Sequence, residues 1–318
     1  MFDLPFQQPQ SVGDLLGRSF RIFRQNYKLF VRAQIAPCIG VTVGRIMLQF
    51  SGSAIIHAVQ DGRFEINTLA VNGAVVLAGF IVTFISGVIL ILRNLAFVRL
   101  AVGLDREYAQ AVAFVLQRKW IAIGVVVATL AVTIGAALLW MVEMIVSGVA
   151  WKVLPLLAVG GVTTGIIGFL FSLAAGHAFL FLGLSASICE SESFSETVSR
   201  TFALIIRDLG RIFLFCFLLM VIMYLLGMAL AVPLLIMSVI IFFKNGIPTE
   251  AAVKHWQMPG YYLVTSQVWE SLVNMFVIPV TFIAYGLIYT DLRTRQDGLD
   301  ILRGLKALSG PPGSESSQ

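Results

Sequence analysis

Long apolar runs, separated by short segments rich in charge, form the main pattern along the chain. An α-helix needs about 20 apolar residues to cross the ~30 Å hydrocarbon core of a bilayer, and six of the runs reach that length. The predicted crossings are 29–50, 71–92, 120–142, 153–189, 212–243 and 261–290. The pattern therefore predicts an all-α integral membrane protein with six transmembrane helices.

Two of these runs are longer than one upright crossing requires. The run 153–189 contains no Asp, Glu, Lys or Arg, and as a helix it would measure roughly 55 Å, against ~30 Å of hydrocarbon. It is too short for two crossings with a turn, so we interpret it as one span that begins or ends in the interface. Gly161 and Gly165 form a G-x-x-x-G pair that predicts close packing on a neighbouring helix. In 212–243, Pro233 predicts a kink.

Shorter segments between the runs combine an apolar stripe at helical spacing with charges on the other faces. The most pronounced is 190–211, where Ser193 followed by Glu196 is the start signal of a capping box. Ser11 and Asp14 give a similar signal ahead of the first run. Segments of this kind begin near positions 11, 105 and 193, ahead of the first, third and fifth crossings. We therefore predict three copies of one unit, an amphipathic surface helix followed by a membrane hairpin.

The domain organisation follows from the same pattern. Residues 1–10 are predicted to form a short N-terminal tail, and 11–308 the six-span membrane domain with its surface helices. Within that domain, 301–308 is a fourth amphipathic stretch, and 309–318 is a tail that its composition predicts to be disordered. The N-terminus has no positively charged region before an apolar core, so we do not expect a cleavable signal peptide.

Composition and charge support a membrane protein and fix its expected orientation. Hydrophobic residues make up 58% of the chain and charged residues 12%, whereas soluble domains carry about 25% charged residues. Seventeen Lys and Arg residues fall on one side of the predicted spans and four on the other. Because cytoplasmic loops retain Lys and Arg, we expect an inner-membrane protein with both termini and the surface helices in the cytoplasm. The net charge of +5 is explained by this rule, so we expect no nucleic-acid partner.

The first surface segment carries four of these cations, Arg18, Arg21, Arg24 and Lys28, opposite its apolar stripe. Ordinary anchoring at the interface explains such a face, and specific binding of anionic lipid is the alternative. The expected partners are the lipid bilayer, anionic lipid at the basic surface helices, and proteins whose nature the sequence does not indicate.

Residues with catalytic or ligand-binding chemistry are few and scattered. His57, His177 and His255 lie in three separate regions, and the cysteines have no ligand spacing. The chain lacks Gly-x-Ser-x-Gly, HExxH and intramembrane carboxylates paired one helical turn apart, so intramembrane proteolysis has no support. We expect no catalytic residues, no cofactor and no metal site.

One candidate site consists of Arg45, Glu143 and Glu270, which are predicted to lie toward the outer ends of their spans. A buried Arg needs a partner, and either acid could supply one. We predict an ion pair of Arg45 with Glu270 or Glu143. A structural role between helices is the plainer interpretation, and a substrate site is the alternative.

A second candidate site is predicted at the cytoplasmic interface. The last span ends in five charges within ten residues, too many for hydrocarbon, so these charges share one layer with 190–211. We predict that Arg293 or Arg295 contacts an acid of the 190–208 segment, or that Asp291 contacts Arg200 or Arg207, because guanidinium groups suit bidentate contacts with carboxylates. The residues of this predicted lock are Glu190, Glu196, Arg200, Arg207, Asp291, Arg293 and Arg295.

Two local patterns resemble a known family. The sequence Tyr289-Thr-Asp291-Leu-Arg293-Thr-Arg295-Gln-Asp297-Gly298-Leu-Asp300 resembles the pattern Y-x-D-L-R-x-R-x-E-G-x-D. That pattern belongs to the membrane-domain family found attached to some bacterial glycerophosphoryl diester phosphodiesterases, and widespread without the enzyme. Asp297 stands where Glu is usual in the family. Glu190 to Arg200 is similar to the family's acid, helix and Arg-Ser segment, although Thr201 follows Arg200 here.

The resemblance implies a six-span bacterial membrane protein, but it implies no activity, because the membrane part of the family has none established. Only short segments flank the predicted helices, so we do not expect the phosphodiesterase domain. The first functional hypothesis is a non-enzymatic membrane scaffold or accessory protein. The alternative is a transporter or channel for a small or lipid-like solute. An apolar, filled interior would favour the scaffold, and a continuous polar cavity at mid-depth would favour transport.

Overall fold

The computed structural model describes residues 10–60, 66–150, 155–189, 193–244 and 259–297. Predictions that concern the two tails, the amphipathic stretch 301–308 and Glu190 fall outside these residues. Every regular element in the described ranges is an α-helix. The helices are α1 (Val12–Gln60), α2 (Ile66–Ala101), α3 (Tyr108–Gln117), α4 (Lys119–Ala150), α5 (Pro155–Cys189), α6 (Phe194–Arg207), α7 (Leu209–Lys244) and α8 (Gly260–Asp297).

Within these ranges, the six helices other than α3 and α6 are long and apolar enough to cross a membrane. The expectation of an all-α, multi-pass membrane protein is thereby confirmed. The two overlong runs are each one continuous helix, α5 with 35 residues and α7 with 36. Such helices measure roughly 53 Å, so each either tilts strongly or continues past the ~30 Å of hydrocarbon.

Three spans are preceded by a short helix without an intervening loop. The helical backbone is interrupted at Asn26 inside α1 (φ −122°, ψ 16°), at Arg118 between α3 and α4 (φ −104°, ψ 10°) and at Asp208 between α6 and α7 (φ −123°, ψ 36°). All three residues have ψ far above the helical value and turn the chain within a single residue. The sequence predicted a surface helix ahead of each of these three spans.

The predicted capping signals are confirmed at two of the short helices. The backbone N–H of Ser193 donates to Glu196 Oε2 over 2.9 Å, and the N–H of Glu196 donates to Ser193 Oγ over 3.4 Å. At the start of α1, the N–H of Asp14 donates to Ser11 Oγ over 3.1 Å. Each bond satisfies a donor that has no partner within its own helix.

The described residues form two compact units. Unit 1 comprises the described parts of 1–19, 95–216 and 282–318, and unit 2 comprises those of 20–94 and 217–281. The core of unit 1 surrounds the buried Tyr285, whose ring centroid lies 4.7 Å from that of Phe181 and 5.4 Å from that of Phe215. This core is aromatic and buried.

In unit 1, α4 and α5 pack antiparallel along a row of glycines. A Cβ atom at Gly161 would overlap the side chain of Ser147, and one at Gly165 would overlap Met144. The close packing predicted for the G-x-x-x-G pair is therefore confirmed. Further along the same row, Gly168 faces the Trp140 ring with no room for a Cβ.

In unit 2, α1 and α2 approach each other in the same way. A Cβ atom at Gly44 would overlap Thr83 and the carbonyl of Gly79, and one at Gly40 would overlap Ser86. Gly40 and Gly44 form a second G-x-x-x-G pair, which was not predicted although its spacing is the same.

Candidate functional site

Unit 2 contains the intramembrane ion pair. Arg45 Nη1 on α1 donates to Glu270 Oε1 on α8, so the structure brings these two candidate residues together. Their side chains are 41% and 47% exposed. Glu143, the other acid considered, lies on α4 in unit 1 and has no ion pair with a described residue. The partner of Arg45 is therefore Glu270 and not Glu143.

Further polar contacts flank this pair along α1 and α8. The hydroxyl groups of Thr42 and Ser271 are hydrogen-bonded, and Gln267 Nε2 donates to Gln49 Oε1 over 3.4 Å. As residue numbers rise on α1 they fall on α8, so the two helices run antiparallel. We call this row of contacts, with Gln34 and Cys38 farther along the same face of α1, the polar seam.

The polar residues of α1 share one face because of their spacing. At 3.6 residues per turn, positions 34, 38, 42, 45 and 49 fall within an arc of about 80° and extend over about 22 Å of helix. Gln34 is fully buried, and its Nε2 donates to Asn94 Oδ1 on α2 over 3.2 Å. The stripe therefore crosses most of a hydrocarbon core of ~30 Å.

Prolines lie inside three helices of unit 2, and at two of them, Pro37 and Pro233, a side chain from a neighbouring helix binds near the gap in the hydrogen bonding. Pro37 has no N–H for the carbonyl of Ala33, and Arg93 Nη1 donates to that oxygen instead. Pro233 interrupts α7, where Trp269 Nε1 donates to the Leu230 carbonyl over 2.7 Å. These contacts fix α2 and α8 against the kinks.

Unit 1 contains a buried cluster centred on Asp291, which is 0% exposed. Its Oδ1 accepts from the backbone N–H of Gln10 over 2.8 Å, and its Oδ2 accepts from Arg211 Nη2 over 2.6 Å and from Arg295 Nε over 3.0 Å. The Gln10 carbonyl accepts from the same two guanidinium groups, over 2.5 and 3.0 Å. One carboxylate thereby joins the start of α7, the end of α8 and the chain ahead of α1.

The pairings predicted for Asp291 and for Arg295 were wrong in their residues, whereas the predicted contact of Arg293 with an acid of the 190–208 segment stays a prediction. Asp291 pairs with Arg211 and not with Arg200 or Arg207, and Arg295 bonds Asp291 and not an acid of the 190–208 segment. The reason is the helix break at Asp208. Arg211 follows it in the first turn of α7, which runs antiparallel to α8.

The other described residues of the predicted lock differ in their exposure and in the elements they belong to. Arg207 precedes the break and is exposed, Glu196 belongs to the cap of α6, and Arg200 and Arg293 are half-buried. A contact that was not predicted does join the two segments, because Gln296 Nε2 donates to Asp208 Oδ2 over 2.9 Å.

Arg99 organises a second buried cluster of unit 1, and the sequence analysis missed it. Its Nε and Nη2 bind Asp105 over 2.5 and 3.2 Å, and its Nη1 donates to the Ile188 carbonyl in the last turn of α5. The guanidinium Cζ also lies 3.5 Å from the centroid of the Phe114 ring.

The turn after α2 positions Asp105. Gly103 has a φ of 76°, and the N–H groups of Gly103 and Leu104 donate to the carbonyls of Leu100 and Arg99, which is a Schellman motif. A glycine two residues after the last helical position is the signal that could have predicted it.

The geometry of the α6 cap lowers the pKa of the Glu196 carboxyl. The Ser193 backbone N–H that donates to the Glu196 carboxylate holds the pKa of this acid below its ordinary value, and the Ser193 side chain acts in the same direction. Among the described residues, no group of His, Cys, Asp and Glu has the arrangement of a metal site.

Comparison with protein-family models, with curated proteins and with solved structures found no match. The resemblance of 289–300 and 190–200 to the membrane-domain family stays a prediction. The structure gives the first of these segments a physical role through the contacts of Asp291 and Arg295.

Proposed function

We propose that the protein is a non-enzymatic scaffold or accessory protein of the bacterial inner membrane. The observation that carries this proposal is the low burial of its spans. In five of the six apolar helices, only 11–17% of the most apolar window is buried within the chain, against 56% in α8. Most of the apolar surface is thus available to lipid and to other membrane proteins.

The use of charge in unit 1 supports the same proposal. The carboxylate of Asp291 and the guanidinium of Arg99 are buried and bonded to groups of the same chain. Such groups stabilise helix ends and are not free to bind a substrate. The interior around Tyr285 is aromatic and buried, which favours a scaffold.

The scaffold would consist of three membrane hairpins, each preceded by a cytoplasmic amphipathic helix, with both termini in the cytoplasm. The breaks at Asn26, Arg118 and Asp208 and the uneven distribution of Lys and Arg support this arrangement. The test is labelling of intact cells with an impermeant thiol reagent, on Ser195→Cys and Asp61→Cys variants without the native cysteines. We expect labelling at position 61 only, and labelling at 195 only would overturn the proposed orientation.

Anionic lipid is the partner that we propose for the first basic helix. Arg21, Arg24 and Lys28 are exposed and have no ion pair with a described residue. Spin-labelled phosphatidylglycerol should associate with the protein more strongly than spin-labelled phosphatidylcholine. Replacing these three residues by Gln should remove the preference, whereas Arg207→Gln, which removes one exposed cation elsewhere, should retain it.

Site-specific photo-crosslinking tests the scaffold role. Leu139 on α4 and Phe171 on α5 are 73% and 65% exposed, and Leu182 on α5 is fully buried. With a photoreactive residue at either exposed position, we expect a crosslink to the same second membrane protein, and none from position 182. Crosslinks to lipid alone at both exposed positions would contradict a scaffold that assembles proteins.

A transporter or channel is the second candidate, and the half-exposed pair of Arg45 and Glu270 favours it. Charged residues inside spans often mark solute or ion pathways. Solute flux into liposomes that contain the protein, lost in Glu270→Gln and retained in Glu143→Gln, would support this candidate over the scaffold. Glu143→Gln is a matched control because that acid has no ion pair with a described residue.

A further inference from the structure

Two buried acceptor atoms of the polar seam have no donor. Gln34 Oε1 and Gln267 Oε1 are inaccessible to solvent and receive no hydrogen bond from any described residue. Gln34 is itself 0% exposed, while its Nε2 is bonded to Asn94. A buried amide oxygen without a donor loses its hydration without compensation, so native proteins supply such atoms with a partner.

The two acceptors lie toward opposite ends of the seam. Gln267 is paired with Gln49, and Gln34 precedes Gln49 by fifteen residues on the same face of α1, or about 22 Å of helix. Between them lie the hydroxyls of Thr42 and Ser271 and the ion pair of Arg45. Polar atoms thus follow one another over most of the thickness of a membrane.

The ion pair itself requires solvation. Nearly half of each side chain is exposed, and hydrocarbon against an exposed Arg or Glu is costly. The hydrogen-bonded pairs Thr42–Ser271 and Gln49–Gln267 flank the ion pair along the same two helices. The surroundings of this pair therefore suit water and not lipid chains.

We propose that the polar seam is a hydrated intramembrane site, in which water molecules donate hydrogen bonds to Gln34 and Gln267 and solvate the Arg45–Glu270 pair. The acceptors that lack a partner are oxygens, so the ligand must be a hydrogen-bond donor. Water meets this requirement at both ends and at the ion pair, because it can donate and accept.

Other ligands fit the seam less well. A metal ion would lie near the Arg45 guanidinium, which repels it, and would find one carboxylate only. An anion would find one cation and would face the acceptor oxygens of both Gln side chains. The seam is thus assigned to water and to small neutral donors, and the assignment holds whether the protein is a scaffold or a transporter.

Cys38 provides an internal reporter of this hydration. It lies on the seam face of α1 between Gln34 and Thr42, whose Oγ1 donates to the Cys38 carbonyl over 2.8 Å. Cys38 is 3% exposed, whereas Cys216 in unit 1 is more exposed and lies against Tyr285. Accessibility alone therefore predicts that Cys216 is oxidised faster, and a hydrated seam predicts the opposite order.

The experiment is hydroxyl-radical labelling of the full-length protein in lipid nanodiscs, with oxidation of each cysteine followed by mass spectrometry. Radicals formed from water react with adjacent side chains, so ordered water next to Cys38 should make its oxidation about tenfold faster than that of Cys216. Gln34→Leu removes the unpaired acceptor and should slow Cys38 several-fold. Ile39→Leu, on the exposed face of the same turn, is the matched control and should leave the rate unchanged.

Oxidation of Cys38 no faster than that of Cys216 would show that the seam is dry. An equal effect of Gln34→Leu and Ile39→Leu would show that the water is not held by Gln34. If Gln34→Leu does not fold, Gln267→Leu replaces it, and slower oxidation of Cys38 in that variant would still support a connected seam, whereas an unchanged rate would overturn it.

Discussion

Unit 1 and unit 2 both consist of closely packed apolar helices, but they accommodate charge in different ways. In unit 1, Asp291 is fully buried and its carboxylate receives three hydrogen bonds from the same chain. In unit 2, Arg45 and Glu270 are bonded to each other and remain nearly half exposed. The first arrangement is closed, and the second leaves both charges in contact with their surroundings.

This difference predicts different consequences for substitutions in the two units. Removal of one partner of a buried pair leaves a charge without compensation and costs about 3–5 kcal/mol, whereas an exposed pair contributes about 0–1 kcal/mol. We therefore expect substitutions at Asp291 to lower the free energy of unfolding. Substitutions at Arg45 or Glu270 should act mainly on hydration and on whatever the seam admits.

The largest expected effect is that of Asp291→Ala in unit 1. The substitution leaves Arg211 and Arg295 facing each other without the carboxylate, and the backbone N–H of Gln10 loses its acceptor. We expect the free energy of unfolding in detergent to fall by about 3–5 kcal/mol. Arg207→Ala, at an exposed position, should change it by less than about 0.5 kcal/mol. If Asp291→Ala lowers the free energy of unfolding no more than Arg207→Ala does, the buried cluster around Asp291 does not stabilise the fold.

Glycine packing in unit 1 gives the next largest effect. A methyl group at position 168 would overlap the Trp140 ring, whereas position 160 on the same helix has nothing within 4 Å. We expect Gly168→Ala to destabilise the protein by about 1–3 kcal/mol through overpacking. Gly160→Ala should be neutral or stabilising by up to about 1 kcal/mol, because Ala favours the helix. Similar thermal stability of the two variants would contradict the close crossing of α4 and α5.

In unit 2, the partnership of Pro37 and Arg93 predicts a conditional effect. Arg93→Leu leaves the Ala33 carbonyl without a donor, and an unsatisfied buried acceptor costs about 1–3 kcal/mol. In a Pro37→Ala background the new N–H at position 37 can bond that carbonyl, so Arg93→Leu should cost less. A thermal-unfolding cycle of the four proteins measures this. Equal costs in both backgrounds would show that Arg93 does not compensate for the proline.

The course of the helices was predictable from sequence because a bilayer imposes strong length and polarity requirements. The six apolar runs, the G-x-x-x-G pair at Gly161 and Gly165, and the capping box at Ser193 each depend on residues close together in sequence. All of these were confirmed. The antiparallel depth of Arg45 and Glu270 could also be estimated, because 1.5 Å per residue converts sequence position into depth.

Partner identity at the helix ends was not predictable in the same way. Asp291 was expected to contact Arg200 or Arg207, but a single residue, Asp208, interrupts the helix and changes which side chains face α8. Arg99 entered the sequence-based prediction only as one of the seventeen Lys and Arg residues counted for orientation. Its contact with Ile188 depends on the packing of α2 beside α5, which no local pattern encodes.

Double-mutant cycles compare the ion pairs of the two units directly. We expect a coupling energy of about 0.6 kcal/mol between Arg45 and Glu270, the average found for polar contacts in membranes. The coupling of Arg211 with Asp291 should be larger, because that carboxylate is fully buried. Coupling energies of equal size would show that the buried pair of unit 1 is no stronger than the half-exposed pair of unit 2.

The smallest expected effect concerns the surface of unit 1, where the cap of α6 is fully exposed to solvent. The pKa of Glu196 lies below its ordinary value in the folded protein, because the Ser193 backbone N–H donates to the carboxylate. A lowered pKa means that the ionised carboxylate stabilises the fold above the unfolded value of about 4.3, and that this contribution disappears as the pH falls through the folded value.

The pH dependence of thermal unfolding, measured from pH about 6 to about 3 for the native chain and for Glu196→Gln, isolates this carboxylate. The native chain should be slightly more stable than Glu196→Gln at the higher pH, and this difference in stability between the two proteins should vanish at the lower pH. Asp14→Asn, at the corresponding cap of α1, is the matched control and should leave the Glu196 contribution in place. A difference that grows as the pH falls would have the wrong sign for a capping carboxylate, and it would mean that Glu196 is stabilised in its protonated form.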